Sequence, residues 1–308
     1  MTSETDRGRR VSLDAAVAGP LFMLAAALLF TALNLLIKLI GPDYTIWHIG
    51  FYRFCGGAAV LLLVFGRPGN PFRGHNTRLL IVRGLTGSAA FLSIITAIRM
   101  LPVSTALVIF YAFPAFSAIF SYLIYGERIT CAEVGCIAVV IVGIAVLFDF
   151  SLQGNHVGQL MAITGSAFAG LTVTLIKALR EKNGPVVIYL YFCTMGTLVT
   201  VIPFAASPLW PAGAVDGVMV AGIVIVSVTA QLLMNQGFFY CKGWEGGVFM
   251  SSEVIFTAIV GIAFLGDPAS WRFWLGGLLI LASAVALNRF KANQTRRMKK
   301  KSPPGLPS

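Results

Sequence analysis

Apolar runs about twenty residues long follow one another down nearly the whole chain, separated by short polar gaps. This pattern constrains the fold more than any motif does. A helix needs about 20 apolar residues to cross a bilayer, and lipid offers no partner for exposed backbone groups, so each run has to be helical. The runs read as 19–40, 46–66, 79–99, 102–124, 131–149, 157–177, 185–206, 214–236, 246–265 and 272–290. The expected fold is an all-α integral membrane protein with ten transmembrane helices, and the lipid bilayer is its first partner. Only 11% of the residues are charged, where a soluble chain carries about 25%, so a water-facing surface of this size is excluded.

The net charge of +11 would suggest nucleic acid in a soluble protein. Here the basic residues gather in the gaps between apolar runs, where they set orientation instead. With a cytoplasmic N-terminus, 18 Lys and Arg fall on the inner side, 3 on the outer side, and Arg53 and Arg83 within spans. That bias predicts both termini in the cytoplasm and an inner (plasma) membrane location, with "SPLWPAG" (207–213) outside. Residues 1–18 read as a cytoplasmic N-terminal segment without a cleavable signal. Residues 291–308 read as a basic, disordered cytoplasmic tail. Five scattered cysteines and three distant histidines form no ligand pattern, so no metal or other cofactor is expected.

An internal repeat organises the runs. "STALVIFYAFPAFSAIFSYLIYGER" (104–128) matches "WEGGVFMSSEVIFTAIVGIAFLGDP" (244–268) at a shift of 140. "FYRFCGG" (51–57) matches "YLYFCTM" (189–195) at a shift of 138. The chain therefore divides into two five-helix halves, 19–149 and 157–290. Five is odd, so the second half enters the membrane inverted, and such inverted repeats place a substrate site between the halves.

The repeat, the Gly126–Glu127 ending, the "FYRF" of the second run, the "RGLTG" opening the third and the "AIRMLPVSTA" turn resemble EamA-type members of the drug/metabolite transporter superfamily. The resemblance covers residues 20 to 290 and is looser in the second half, where Asp267 stands in place of the family's Glu. It implies a central cavity between the halves and transport of a small-molecule substrate without ATP. It leaves the substrate open, since members carry amino acids, vitamins, nucleotide-like metabolites and drugs.

A charge within a span costs about 2.5–3.5 kcal/mol at the helix centre, so each one needs a reason. Thr31, Asn34 and Lys38 share one face of the first run. That face suits a cavity wall, although Lys38 lies close enough to the helix end to snorkel. Arg53 lies roughly 10 Å into the second run. It suits either a bidentate grip on an anionic group or a structural ion pair. Arg83, about five residues from the cytoplasmic end of its run, suits snorkelling or a structural role. In "VIFYAFPAF", Pro114 reads as a hinge that bends the helix, and Tyr111 as an aromatic wall for a planar or cationic solute. Gln231 and Asn235 stand four apart and suit a shared cavity face.

Glu253 is the sharpest signal: a short carboxylate near the middle of an apolar run, too deep to snorkel. It has three candidate roles, namely binding the cationic end of a zwitterion, carrying a coupling proton, or pairing with Arg53 or Arg83. The expected function is a secondary transporter of amino-acid-like metabolites, an exporter or exchanger working by alternating access. A lipid-modifying membrane enzyme would need clustered nucleophiles and bases near the interface, and a channel would need a repeated polar ring; neither pattern is present. Coupling ion and oligomeric state stay open.

Overall fold

The computed structural model describes residues 3–66, 72–101, 103–127, 129–147, 155–264 and 271–301. Among these the chain is all helical: α1 (Ser3–Leu39), α2 (Ile46–Phe65), α3 (Thr77–Met100), α4 (Val103–Phe110), α5 (Phe113–Tyr125), α6 (Cys131–Leu147), α7 (His156–Arg180), α8 (Pro185–Ala206), α9 (Ala214–Tyr240), α10 (Gly243–Met250), α11 (Ser252–Phe264) and α12 (Trp271–Lys301). Among the described residues six stretches are long and apolar enough to cross a membrane: Val17–Ile37 of α1, and α2, α3, α7, α8 and α9. Phe113–Tyr125, Cys131–Val146 and Trp274–Ala286 are shorter apolar helices.

The helix starts follow local chemistry. Asn76 adopts a left-handed conformation (φ 60°) and its Oδ1 accepts from the Leu79 N–H at 3.2 Å. Asn155 Oδ1 accepts from Val157 and Gly158 at 2.8 and 3.4 Å. Both side chains satisfy donors that have no partner inside the helix. Before α6 the exchange is reciprocal: the Thr130 N–H donates to Glu133 Oε2 (2.7 Å) and the Glu133 N–H to Thr130 Oγ1 (3.4 Å).

Four expectations need correction. The run at 102–124 is two helices that break at Tyr111–Ala112, and the run at 246–265 breaks at Ser251. Pro114 does not bend a continuous helix. It occupies the first turn of α5, where its missing N–H costs no hydrogen bond. The N-terminal segment continues α1 from Ser3, and the tail continues α12 to Lys301, because adding residues to a nucleated helix costs far less than starting one. Residues 302–308 of the tail lie outside the described residues.

The two interrupted pairs correspond in register. Both bounds of α10 lie 140 residues after those of α4. The most extensive packing joins α3 to α7, α1 to α9, α6 to α12 and α2 to α8. Small residues let α7 approach its neighbours closely. A Cβ on Gly170 would stand 2.7 Å from the Ser117 nitrogen and 2.9 Å from the Phe113 oxygen. A Cβ on Gly158 would stand 2.7 Å from Leu101. Such close approach is how helices associate where apolar burial gives no advantage over lipid.

Candidate functional site

Glu253 lies in the first turn of α11, immediately after the Ser251 break. Its Oε1 accepts from Asn34 Nδ2 on α1 at 2.8 Å. The hydroxyl of Tyr111, at the equivalent break between α4 and α5, also hydrogen-bonds the carboxylate. Thr31 ties the same two helices together. Its Oγ1 donates to the Glu253 carbonyl at 3.3 Å and lies 3.4 Å from Thr257 Oγ1. Tyr111 is buried, but Glu253 is only half-buried and Asn34 is exposed, so the pair borders open space. Among the described residues no cation forms an ion pair with the carboxylate; the Arg53 charge reaches it from farther away. The helix breaks matter chemically, because broken helices expose backbone and side-chain polar groups that an intact helix would hold against lipid.

Arg53 and Arg83 lie on unbroken helices and are 5% and 0% exposed. The Arg53 guanidinium sits 4.1 Å from the centroid of Phe91, and that of Arg83 sits 4.4 Å from Phe192. Phe192 serves both cations, with Arg53 at 5.9 Å. Tyr189 and Cys193 of α8 complete the surroundings. The titratable groups around Arg83 among the described residues are Cys193, Tyr189 and Arg53, with no carboxylate among them.

The structure thus brings Asn34, Tyr111 and Glu253 together, with Arg53 nearby and Arg83 one ring farther on. Asn235 hydrogen-bonds to other partners. It is buried, its carbonyl accepts from Arg180 Nε at 3.0 Å, and its Nδ2 donates to the Pro185 carbonyl at 3.3 Å. Gln231 is buried on the same helix. The side chain of Lys38 lies outside the described residues.

Two polar clusters that sequence reading missed tie the helix ends. At one end, Arg180 also donates to the Asn183 carbonyl (2.5 Å) and to Gln236 Oε1 (2.7 Å), while Asn183 Oδ1 accepts from the His75 N–H (2.6 Å). At the other, His48 Nδ1 accepts from the Thr45 N–H (3.0 Å), which leaves Nε2 to donate to the Ser207 carbonyl (2.6 Å). There Tyr52 donates to the Leu209 carbonyl, Arg99 to the Tyr44 carbonyl (2.8 Å) and Tyr44 to Asp216 (3.4 Å). Burial, and then the Asp216 charge, raise the Tyr44 phenol above its usual pKa, so it stays a donor. The loops at 41–45 and 207–213 therefore share one end of the molecule, and those at 72–76 and 181–184 share the other. Only contacts between distant segments reveal these clusters, since Arg180 in sequence reads as one more basic residue at a helix end.

Comparison with known proteins agrees with the helical architecture. The sequence model of the EamA-like transporter family matches residues 17–149 and again 156–289. The pseudopaline exporter CntI of Pseudomonas aeruginosa is 25% identical over 280 residues, spanning 91% of this chain and 99% of that one. A probable amino-acid metabolite efflux pump of Salmonella typhimurium is 25% identical over 273 residues, or 82% of this chain and 84% of that protein. A solved crystal structure of a protein superposes with a TM-score of 0.74 at 18% identity, covering 90% of this chain and 98% of that one. The family and the relatives' names point to a membrane transporter rather than an enzyme.

Proposed function

The chain belongs to the EamA-like transporter family, and from that premise we propose that it is a secondary exporter or exchanger of amino-acid-like solutes, working by alternating access. One observation carries the substrate class. An unneutralised carboxylate, Glu253, borders open space between two helix breaks, with a guanidinium, Arg53, near enough for its charge to be felt. A zwitterion places its ammonium on Glu253, beside Asn34 and Tyr111, and its carboxylate toward Arg53. Glu253 is also the group placed to carry a coupling proton. Lys38, Gln231 and Asn235 complete the candidate binding set, with Pro114 and Arg83 in supporting roles.

Counting α4 with α5, and α10 with α11, as two interrupted crossings gives ten. Residues 19–149 and 157–290 then form two inverted halves. The 140-residue register between the breaks supports this division. So does the reciprocal packing, in which α1 on α9 mirrors α7 on α3 and α2 on α8 maps onto itself. Both termini lie in the cytoplasm of an inner-membrane protein under this reading. Reporter fusions after residues 210 and 295 then report opposite sides, and the same side for both overturns the ten-crossing count.

The substrate class is tested by counterflow in proteoliposomes with a neutral zwitterionic amino acid, its amide, and the amine lacking the carboxylate. Exchange of the zwitterion alone is expected. Equal exchange of all three removes the two-ended site.

A further inference from the structure

Eight buried side-chain polar atoms among the described residues lack a hydrogen-bond partner, and four of them fall in one place: Arg53 Nε, Arg83 Nε, Arg83 Nη1 and the Tyr189 hydroxyl. Arg83 and Tyr189 are fully buried and Arg53 nearly so. They converge from three helices, α2, α3 and α8, around Phe192 and Cys193. Helices α2 and α8 come close here because Gly57 has no side chain. A Cβ on Gly57 would stand 2.9 Å from Cys193 Sγ and 3.3 Å from the Tyr189 oxygen.

The chemistry of the unpartnered atoms is one-sided. A guanidinium is all donor, and arginine keeps its proton in proteins. The Tyr189 phenol has only the Ser227 hydroxyl and the Cys193 sulfur beside it, both weaker acceptors than an anion. The rings of Phe91 and Phe192 offset part of each charge through their faces, but they do not accept the free N–H groups. Glu253 acts on Arg53 only from a distance, and Asn34 and Tyr111 already engage its oxygens. The Arg83 charge therefore has no counter-charge among the described residues. A water there would bring two protons of its own into a cluster already short of acceptors. An anion brings none, accepts from all the donors at once and cancels the charge that Glu253 leaves over. Buried unsatisfied groups of this kind mark an ion.

We infer that Arg53, Arg83 and Tyr189 form a buried site for a small monovalent anion, either a free halide or the carboxylate of a bound solute. The carboxylate arm rests on the transport reading above. The halide arm does not, and binding can be measured without transport.

The test is thermal unfolding of the full chain in detergent at matched ionic strength, in sodium isethionate, chloride, bromide or acetate. A ligand of the folded state alone raises the midpoint with its concentration. A saturable rise of a few degrees in chloride and bromide over isethionate supports a halide site. A rise in acetate alone supports the carboxylate source. In either case Tyr189→Phe weakens the apparent affinity by about tenfold, as expected for one lost charge-assisted bond, and Arg83→Met abolishes the response. Should Arg83→Met not fold, bromide anomalous scattering from wild-type crystals replaces it, with a peak between the two guanidiniums supporting the site. The inference is overturned if all four salts give one midpoint and no anomalous peak is found, or if the salt response survives unchanged in Tyr189→Phe and Arg83→Met. A halide response in a protein that fails counterflow rejects the transport reading and leaves the anion site standing.

Discussion

Glu253 and Arg83 are both charges set in apolar sequence, yet the protein treats them in opposite ways. Glu253 stands at a helix break, half-buried, with Asn34 and Tyr111 on its carboxylate. Arg83 stands inside an unbroken helix, sealed from solvent, with aromatic faces for company and two nitrogens unpartnered. A break supplies neighbouring polar groups and access, so a charge there can be satisfied and still exchange its partner. An intact helix offers side-chain faces only, so a charge there waits for something from outside. Burying an ion without a partner costs several kcal/mol even after relaxation, and a chain that retains such a group has a use for it.

The comparison can be broken at several points. Glu253→Gln should have the largest effect, lowering transport by about a hundredfold, or about 2.7 kcal/mol, with folded yield retained. The amide keeps the Asn34 and Tyr111 geometry but neither attracts an ammonium nor titrates. Wild-type transport with an unchanged pH profile would place Glu253 outside the mechanism. Loss of folded protein, restored by neutralising Arg53 or Arg83, would make it a structural partner instead.

Arg53→Lys comes next, with transport reduced by about tenfold. Charge survives, but the planar fork and its stacking on Phe91 do not. Unaltered kinetics would show that only the charge matters, and the contrast between the two regions would then rest on Arg83 alone.

Gly170→Ala probes the scaffold beneath both regions. Its Cβ meets α5 backbone at 2.7–2.9 Å, and overpacking of this kind costs about 1–3 kcal/mol. Its thermal midpoint should fall well below that of Gly135→Ala, whose Cβ meets nothing within 4 Å. Equal midpoints would mean that α5 and α7 yield freely at the first break.

The smallest effect belongs to Thr174→Val. The Thr174 hydroxyl lies 3.0 Å from Ser117 Oγ, and the variant leaves a buried hydroxyl with one partner fewer. A loss of about 1 kcal/mol in unfolding free energy is expected.

The sequence by itself determined that this chain lives in a membrane, that its spans are helical and that one half echoes the other. Hydropathy and run length state directly which segments prefer lipid, and the 140-residue shift is visible in the letters. It also singled out Glu253, Arg53 and Arg83, because a charge in an apolar run is costly wherever it ends up. Only the tertiary structure decided what each charge meets. In a soluble helix the polar face shows which side is buried, but a membrane helix is apolar all round. Nothing in α2 or α3 alone says that Arg53 and Arg83 turn toward Phe192 of α8. Nor does "FYAFPAF" say whether Pro114 kinks one helix or opens another, since both satisfy its fixed φ. The tertiary structure settles that: Pro114 stands in the first turn of α5, packed so close to α10 that a Cβ on Gly247 would meet it at 3.0 Å. Asn235 shows the same limit: its spacing from Gln231 suggests a shared face, and only the packing shows that its side chain donates to the Pro185 carbonyl, fifty residues away.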